Sequence, residues 1–131
     1  MTTLIYIHGF LSSPQSKKAQ QTKAWLDAHH PSVRFECPAL SSYPAKARDT
    51  LDALIQDIDS PDIAVIGSSL GGYWATYLVE TAAVKKAVLV NPAALPHARF
   101  KEYVGRELQS YYTEEKFVLS EKDLQDLVAV N

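Results

Sequence analysis

Apolar positions along the chain fall into two kinds of run. Short, almost unbroken runs stand at Thr3–Ile7, Val33–Cys37, Ile63–Ile66 and Ala87–Val90. Between them lie longer stretches in which apolar residues return every three or four positions. Ala19, Thr22, Trp25, Leu26 and His29 form one such stripe; Ala47, Leu51, Leu54, Ile55 and Ile58 form another; Leu70, Tyr73, Trp74, Tyr77, Leu78 and Thr81 form a third. A short continuous run reads as a buried strand and a 3.6-residue stripe as a helix packed on one face. The punctuation agrees. Ser12 or Ser13 can cap the first helix with Pro14 in its first turn, and Pro31 stops it. Pro38 and Pro44 bracket a loop before a helix spanning about Pro44 to Asp59, and Ser60-Pro61 turns the chain into the third strand. The order β-α-β-α-β-α-β with short connections predicts one α/β domain over residues 1–131, a parallel sheet with right-handed crossovers, and helices on both faces. Val33–Cys37 alternates enough to suggest an outer strand.

Beyond Leu95 the pattern weakens. Phe100, Tyr103, Val104 and Leu108 could line one face of a short helix, interrupted by Gly105. Residues 95–117 suit a lid or pocket wall, and equally a segment packed over the sheet edge. Ser120-Glu121-Lys122-Asp123 opens a last short helix with a capping-type start. A fourth strand without a further neighbour leaves an open edge, which predicts self-association through that edge or through residues 95–131.

Composition narrows the function classes. An apolar fraction of 47% fits a globular fold, and a net charge of −2 gives no electrostatic argument for nucleic acid or an anionic membrane. The single Cys37 rules out an intrachain disulfide framework. With no basic-then-apolar leader and no apolar run of membrane length, the expectation is a cytoplasmic protein. Lys17 and Lys18 read as a solvated helix face, as do Asp49, Asp52 and Asp57. No His or Cys accompanies the acids at ligand spacing, so neither a metal nor a cofactor is expected.

The chemistry concentrates in Gly67-Ser68-Ser69-Leu70-Gly71, entered from a strand and left by a helix. In that context Gly-x-Ser-x-Gly means a nucleophile on a sharp turn. The frame selects Ser69, which lies two residues from both Gly67 and Gly71. Flanking Cβ atoms would collide with the strand and helix that the turn joins, so glycines are required there. The helix beginning near Leu70 aims unpaired N–H groups at the space above Ser69. The alternative is a glycine-rich turn that serves only tight packing. A phosphate-binding sheet is a weaker fit, because neither G-x-G-x-x-G nor G-x-x-x-x-G-K-[ST] is present.

With His8-Gly9-Phe10 after the first strand, this motif resembles the α/β-hydrolase fold. The opening Leu4-Ile5-Tyr6-Ile7-His8-Gly9-Phe10 with Ser12-Ser13-Pro14, the stretch Gly67–Tyr73, and Val90-Asn91-Pro92-Ala93 are similar to the small bacterial YqiA-like esterases. The resemblance runs over nearly the whole chain. It implies a sheet of local order 2-1-3-4, with the two motifs meeting at the switch point. It also implies a carboxylic ester or thioester hydrolase acting on small acyl substrates through an acyl-enzyme on Ser69. The oxyanion donors would be the backbone N–H groups of Leu70 and Phe10. His8, Gly9, Gly67 and Gly71 would shape the site's loops; a base role for His8 is the minor alternative.

The resemblance also exposes a departure. In such hydrolases the order is Ser, then Asp or Glu, then His. No residue here falls on a matching acid or base position, and the chain reads as a C-terminally truncated version of the fold. His97 is the only histidine after Ser69, and Asn91 stands where some hydrolases place the acid. An amide cannot stabilise an imidazolium as a carboxylate does. Three sources of the missing groups stay open: a longer polypeptide, a site using His97, or a partner chain. A non-catalytic domain that keeps the scaffold for binding is the rival reading.

Overall fold

The computed structural model describes residues 2–9, 12–41, 43–58, 62–81, 84–90, 104–105, 107–109 and 116–130. Its centre is β1 (Thr3–Ile7), which pairs in parallel with β2 (Arg34–Glu36) on one side and β3 (Ile63–Ser68) on the other. β3 pairs in parallel with β4 (Lys86–Val90), completing a four-stranded sheet of order β2-β1-β3-β4. Both the expected order and the outer position of the second strand are observed. The sheet has helices on both faces, making a three-layer α/β architecture.

One face carries the main core. Ile5 and Ile7 of β1 and Ile63 and Val65 of β3 pack with α2 (Pro44–Asp57) and α3 (Leu70–Thr81). Leu51 and Leu78 are fully buried there. α2 and α3 follow the expected stripes. Trp74 meets Tyr73 and Tyr77 edge-on at 5.8 and 6.0 Å between ring centroids, a favoured aromatic geometry. The phenol of Tyr77 donates to Asp52 at 2.9 Å, tying α3 to α2. Asp52 is therefore a packing contact rather than part of a purely solvated face, while Asp49 and Asp57 are exposed.

Helix α1 (Lys17–His29) covers the other face less fully. It starts later than expected. Ser16 is its cap, accepting from the Ala19 N–H at 3.3 Å, while Ser13 Oγ accepts from Gln15 N–H at 3.1 Å and closes a turn ahead of the helix. Ser12, Ser13 and Pro14 belong to that turn. Lys17 and Lys18 are exposed, as expected. Only Ala19 and Leu26 of the expected stripe are buried; Trp25 is 53% exposed and stacks on His29 at 4.6 Å. Helical spacing shows which residues share a face, but not how far the facing surface reaches.

The C-terminal region departs most from expectation. β5 (Glu107–Gln109) and β6 (Lys116–Val118) form an antiparallel pair, with Leu108 opposite Phe117. Leu108 thus lies in a strand, not in a short helix. Gly105 adopts φ 82°, and its N–H bonds Leu119 O at 2.8 Å, turning the chain into the pair. A left-handed residue of this kind would end a helix, and glycine adopts it at little steric cost. Phe100 and Tyr103 lie outside the described residues, as does most of the 95–117 segment. Leu119 enters the main core fully buried, followed by α4 (Glu121–Val130). Ser120 and Asp123 cap that helix reciprocally, Ser120 N–H to Asp123 Oδ2 at 2.8 Å and Asp123 N–H to Ser120 Oγ at 3.3 Å. Leu127 is fully buried, and its carbonyl accepts from Tyr73 Oη at 3.0 Å. Among the described residues no helix is long and apolar enough to cross a membrane.

These burial contrasts set a prediction. Leu78→Ala should lower stability by about 2–5 kcal/mol, the range for a fully buried leucine. Trp25→Ala, despite removing a larger side chain, should cost less than half as much. Urea denaturation followed by circular dichroism checks the ranking; equal losses would contradict the burial pattern.

Candidate active site

The parallel register carries Ile7 beside Gly67 and Ser68 beside Val90, so the C-terminal ends of β1, β3 and β4 lie together. From β1 the chain proceeds to β2 on one side, and from β3 to β4 on the other. The space above β1 and β3 is therefore the topological switch point, where open α/β sheets place ligands.

Ser69 stands at that point, between the last residue of β3 and the first of α3. Its φ is +56°, the only positive value among described non-glycine residues. Left-handed backbone is unfavourable for a residue with a Cβ by about 1–2 kcal/mol. Ser69 N–H donates to Val90 O at 2.9 Å, and Ser69 O accepts from Gly72 N–H at 2.9 Å. These two bonds tie the turn to β4 and to the first helical turn. Ser68, by contrast, is an ordinary strand residue on the α1 side. Ser69 is exposed.

Two glycines make the turn sterically possible. A Cβ on Gly67 would run into the Gly71 carbonyl, with the Gly72 Cα only 2.7 Å away. A Cβ on Gly71 would run into Ile7 O, with His8 O at 2.9 Å. Helix α3 thus starts with its backbone against the end of β1. Gly9 approaches from the β1 side: a Cβ there would lie 3.1 Å from Ser69 Cβ and 3.7 Å from Ser69 Oγ. Leu70 is the first helical residue, so its N–H belongs to the turn that has no intrahelical acceptor. Phe10 lies outside the described residues.

His8 is 5% exposed, and both its ring nitrogens are engaged. Leu40 N–H donates to Nε2 at 2.9 Å, so Nε2 carries the lone pair. Nδ1, 2.9 Å from Gly9 O, is then the protonated nitrogen and donates to that carbonyl. Burial holds the imidazole below its usual pKa, with the Gly9 bond opposing in part. A neutral His8 therefore clamps the loop after β1 to the loop after β2. The sequence contains no signal for Leu40 as a partner, because a backbone N–H 32 residues away leaves no trace in residue type. His29 bonds the Trp25 carbonyl at the far end of α1, and His30 also packs on Trp25. His97 and Asn91 lie outside the described residues. Cys37 is half-buried, and burial pushes its thiol up to about 11, which disfavours the nucleophilic thiolate. Among the described residues no group of three His, Cys, Asp or Glu is placed to hold a metal.

A groove runs between α1 and the sheet, lined at its near end by Ser68 rather than by Ser69. Its polar end, about 280 Å³, is lined by His8, Gly9, Ser16, Lys17 and Ser68. Tyr6 and Lys18 also line the adjoining apolar part of about 460 Å³, together with Leu26, Ile66 and Val88.

Fold and turn together define a three-layer α/β protein of the α/β-hydrolase type. The chain belongs to the uncharacterised protein family UPF0227, which it matches over residues 3–131; this agrees with the likeness to the YqiA-like proteins seen in the motifs. Among solved structures it is similar to a crystal structure named "Putative hydrolase" from Agrobacterium vitis S4, with a TM-score of 0.72 and 18% identity. The match covers 99% of this chain and 61% of that one, so the chain spans about three-fifths of that protein's length.

Two measurements test the geometry independently of any activity. Ser69→Gly should be more stable than Ser69→Ala by about 1 kcal/mol, because glycine relieves the positive φ. For His8, the unfolded chain holds the proton more tightly than the folded one. Stability should therefore fall as pH drops below about 6.5 and through the lower folded-state value. The slope from this single group is at most ~1.4 kcal/mol per pH unit. Paired urea titrations at neutral and mildly acidic pH should show the loss in the native chain and a flatter response in His8→Asn.

Proposed function

We propose that the protein is a serine hydrolase of small acyl esters or thioesters, with Ser69 as the nucleophile. The observation that carries this reading is Ser69 itself: a serine in left-handed backbone, at the switch point, with Gly9 against its side chain. Strain of that kind persists only where the surroundings impose it, and it clusters at functional sites. The hydrolase name of the similar solved structure and the motif resemblance point the same way.

In this reading Ser69 Oγ attacks the acyl carbonyl while its proton passes to a base. The carbonyl oxygen becomes an oxyanion, held by the Leu70 N–H at the start of α3 and by the Phe10 N–H. Collapse of the tetrahedral adduct expels the alcohol or thiol, and water then hydrolyses the acyl-enzyme. Preorganised backbone donors of this kind each contribute ~10²–10³-fold in rate. His8 acts as a neutral clamp that holds Gly9 and the following loop, since both of its nitrogens are already engaged. Gly67 and Gly71 keep the turn tight. The base comes from His97, from further polypeptide of the same chain or from a partner chain.

A fluorophosphonate probe tests the nucleophile. Labelling that maps to Ser69 and disappears in Ser69→Ala is the expected result; an unlabelled Ser69 in folded polypeptide that also carries the base would favour a binding domain on the same scaffold. Ester turnover lost in His97→Ala would assign the base to His97. Labelling without turnover would place the base outside these residues, because an unassisted serine loses several orders of magnitude in rate.

A further inference from the structure

The loop between β2 and α2 is tied to the site by a single bond. Among the described residues, the one hydrogen bond from residues 38–41 to another segment runs from Leu40 N–H to His8 Nε2, at 2.9 Å. Inside the loop, Ser41 Oγ accepts from Tyr43 N–H at 3.1 Å. The side chains of Leu40 and Tyr43 pack against the main core, and Pro44 at the start of α2 is buried. Apolar packing therefore anchors the Leu40 end of the bond. The other end is held more lightly. Gly9 O accepts from His8 Nδ1–H at 2.9 Å and from Ser12 N–H at 3.1 Å. Gly9 has no side chain to fix it, yet it stands against Ser69.

We infer that the Leu40–His8 bond is an acid-sensitive latch: protonation of His8 breaks it and draws Gly9 away from Ser69 while the core stays folded. The reason is the count of lone pairs. Neutral His8 accepts at Nε2 and donates at Nδ1, whereas an imidazolium donates at both. Leu40 N–H and Nε2–H would then be two donors facing each other 2.9 Å apart. Nδ1–H keeps its acceptor, and its bond to Gly9 O becomes charge-assisted and stronger. The ring and Gly9 thus move together, away from an anchored Leu40. The surroundings do not compensate the charge in place. The polar pocket beside His8 brings in Tyr6 from β1, Lys17 and Lys18 from α1 and Ser68 from β3, with no carboxylate among its described lining residues. Both lysines oppose an imidazolium, as does burial of the ring. Few contacts break in this movement, and local opening of that kind costs less than global unfolding. Its consequence for catalysis, the displacement of the loop that leads to the Phe10 N–H, rests on the nucleophile proposed above. The movement itself does not.

Amide proton–nitrogen spectra of the isotope-labelled chain, titrated from about pH 7.5 to about pH 5, read the latch without any activity. The Leu40, Gly9 and Ser69 amides should shift together with the His8 ring, at one midpoint below about 6.5. The Leu78 and Leu127 amides, in the buried core, should stay in place. His29 and His30, at the far end of α1, should titrate without moving the first three amides. His8→Gln puts an uncharged carbonyl oxygen where Nε2 accepts, so it should hold the Leu40 amide at its neutral-pH position and abolish the transition. His8→Asn reaches only the Gly9 side and should show the Leu40 amide shifted already at neutral pH. Core amides that shift with the other three, or before them, overturn the proposal, because the opening is then global. So do Gly9 and Ser69 amides that stay fixed while His8 titrates, or a transition that survives in His8→Gln. Failure of the nucleophile reading shows separately, in the fluorophosphonate labelling of Ser69, on which none of these shifts depends.

Discussion

The structure depends on one backbone contact, where the first turn of α3 crosses the end of β1. Gly71 lies against the Ile7 and His8 carbonyls, and Gly67 lies against Gly71 and Gly72. No side chain separates these segments. The contact sets α3 directly on the sheet and leaves only a tight turn to join it to β3. Ser69 is forced into left-handed backbone as a consequence. The same contact directs Tyr73, Trp74 and Leu78 into the core, where they meet β1, β3 and α2. Core packing and the shape of the turn therefore have a common cause. The strain at Ser69 is about 1–3 kcal/mol, which burial of residues such as Leu78 and Trp74 readily offsets.

A second constraint works across the loops. Gly9 reaches Ser69 because the chain after β1 is held, and it is held by a buried neutral imidazole. His8 takes a proton acceptor on one side and a donor on the other, and it is satisfied at both. An imidazolium could not accept from Leu40 N–H. The site geometry is thus tied to one protonation state of a group that, in the proposed reaction, makes no contact with substrate.

Coverage of the sheet is uneven. The face under α2, α3 and α4 is closed, with Leu51, Leu78, Leu119 and Leu127 fully buried. The face under α1 keeps an apolar groove that reaches Val88 and Val90 of β4. Trp25 on its rim is half-exposed for the same reason: among the described residues α1 is the one helix on this face, and its 13 residues do not span the four strands.

The sequence by itself determined the elements and the turn. β1, α2, β3 and α3 are legible because period and run length are local properties, and Ser69 is singled out by spacing from its two glycines. Reciprocal capping at Ser120 and Asp123 is equally local and equally legible. Other features were decided only by the tertiary structure. Ser16 rather than Ser12 or Ser13 caps α1, because a turn closed by Ser13 intervenes. Leu108 pairs in a strand rather than lining a helix, since a partner strand outweighs a weak helical stripe. Leu40 holds His8 through a backbone N–H that no residue type encodes. Trp25 and Val88 are apolar yet exposed, because burial depends on what lies opposite. Each of these depends on contacts between distant segments, and a linear pattern of apolar and polar residues does not record which segments meet.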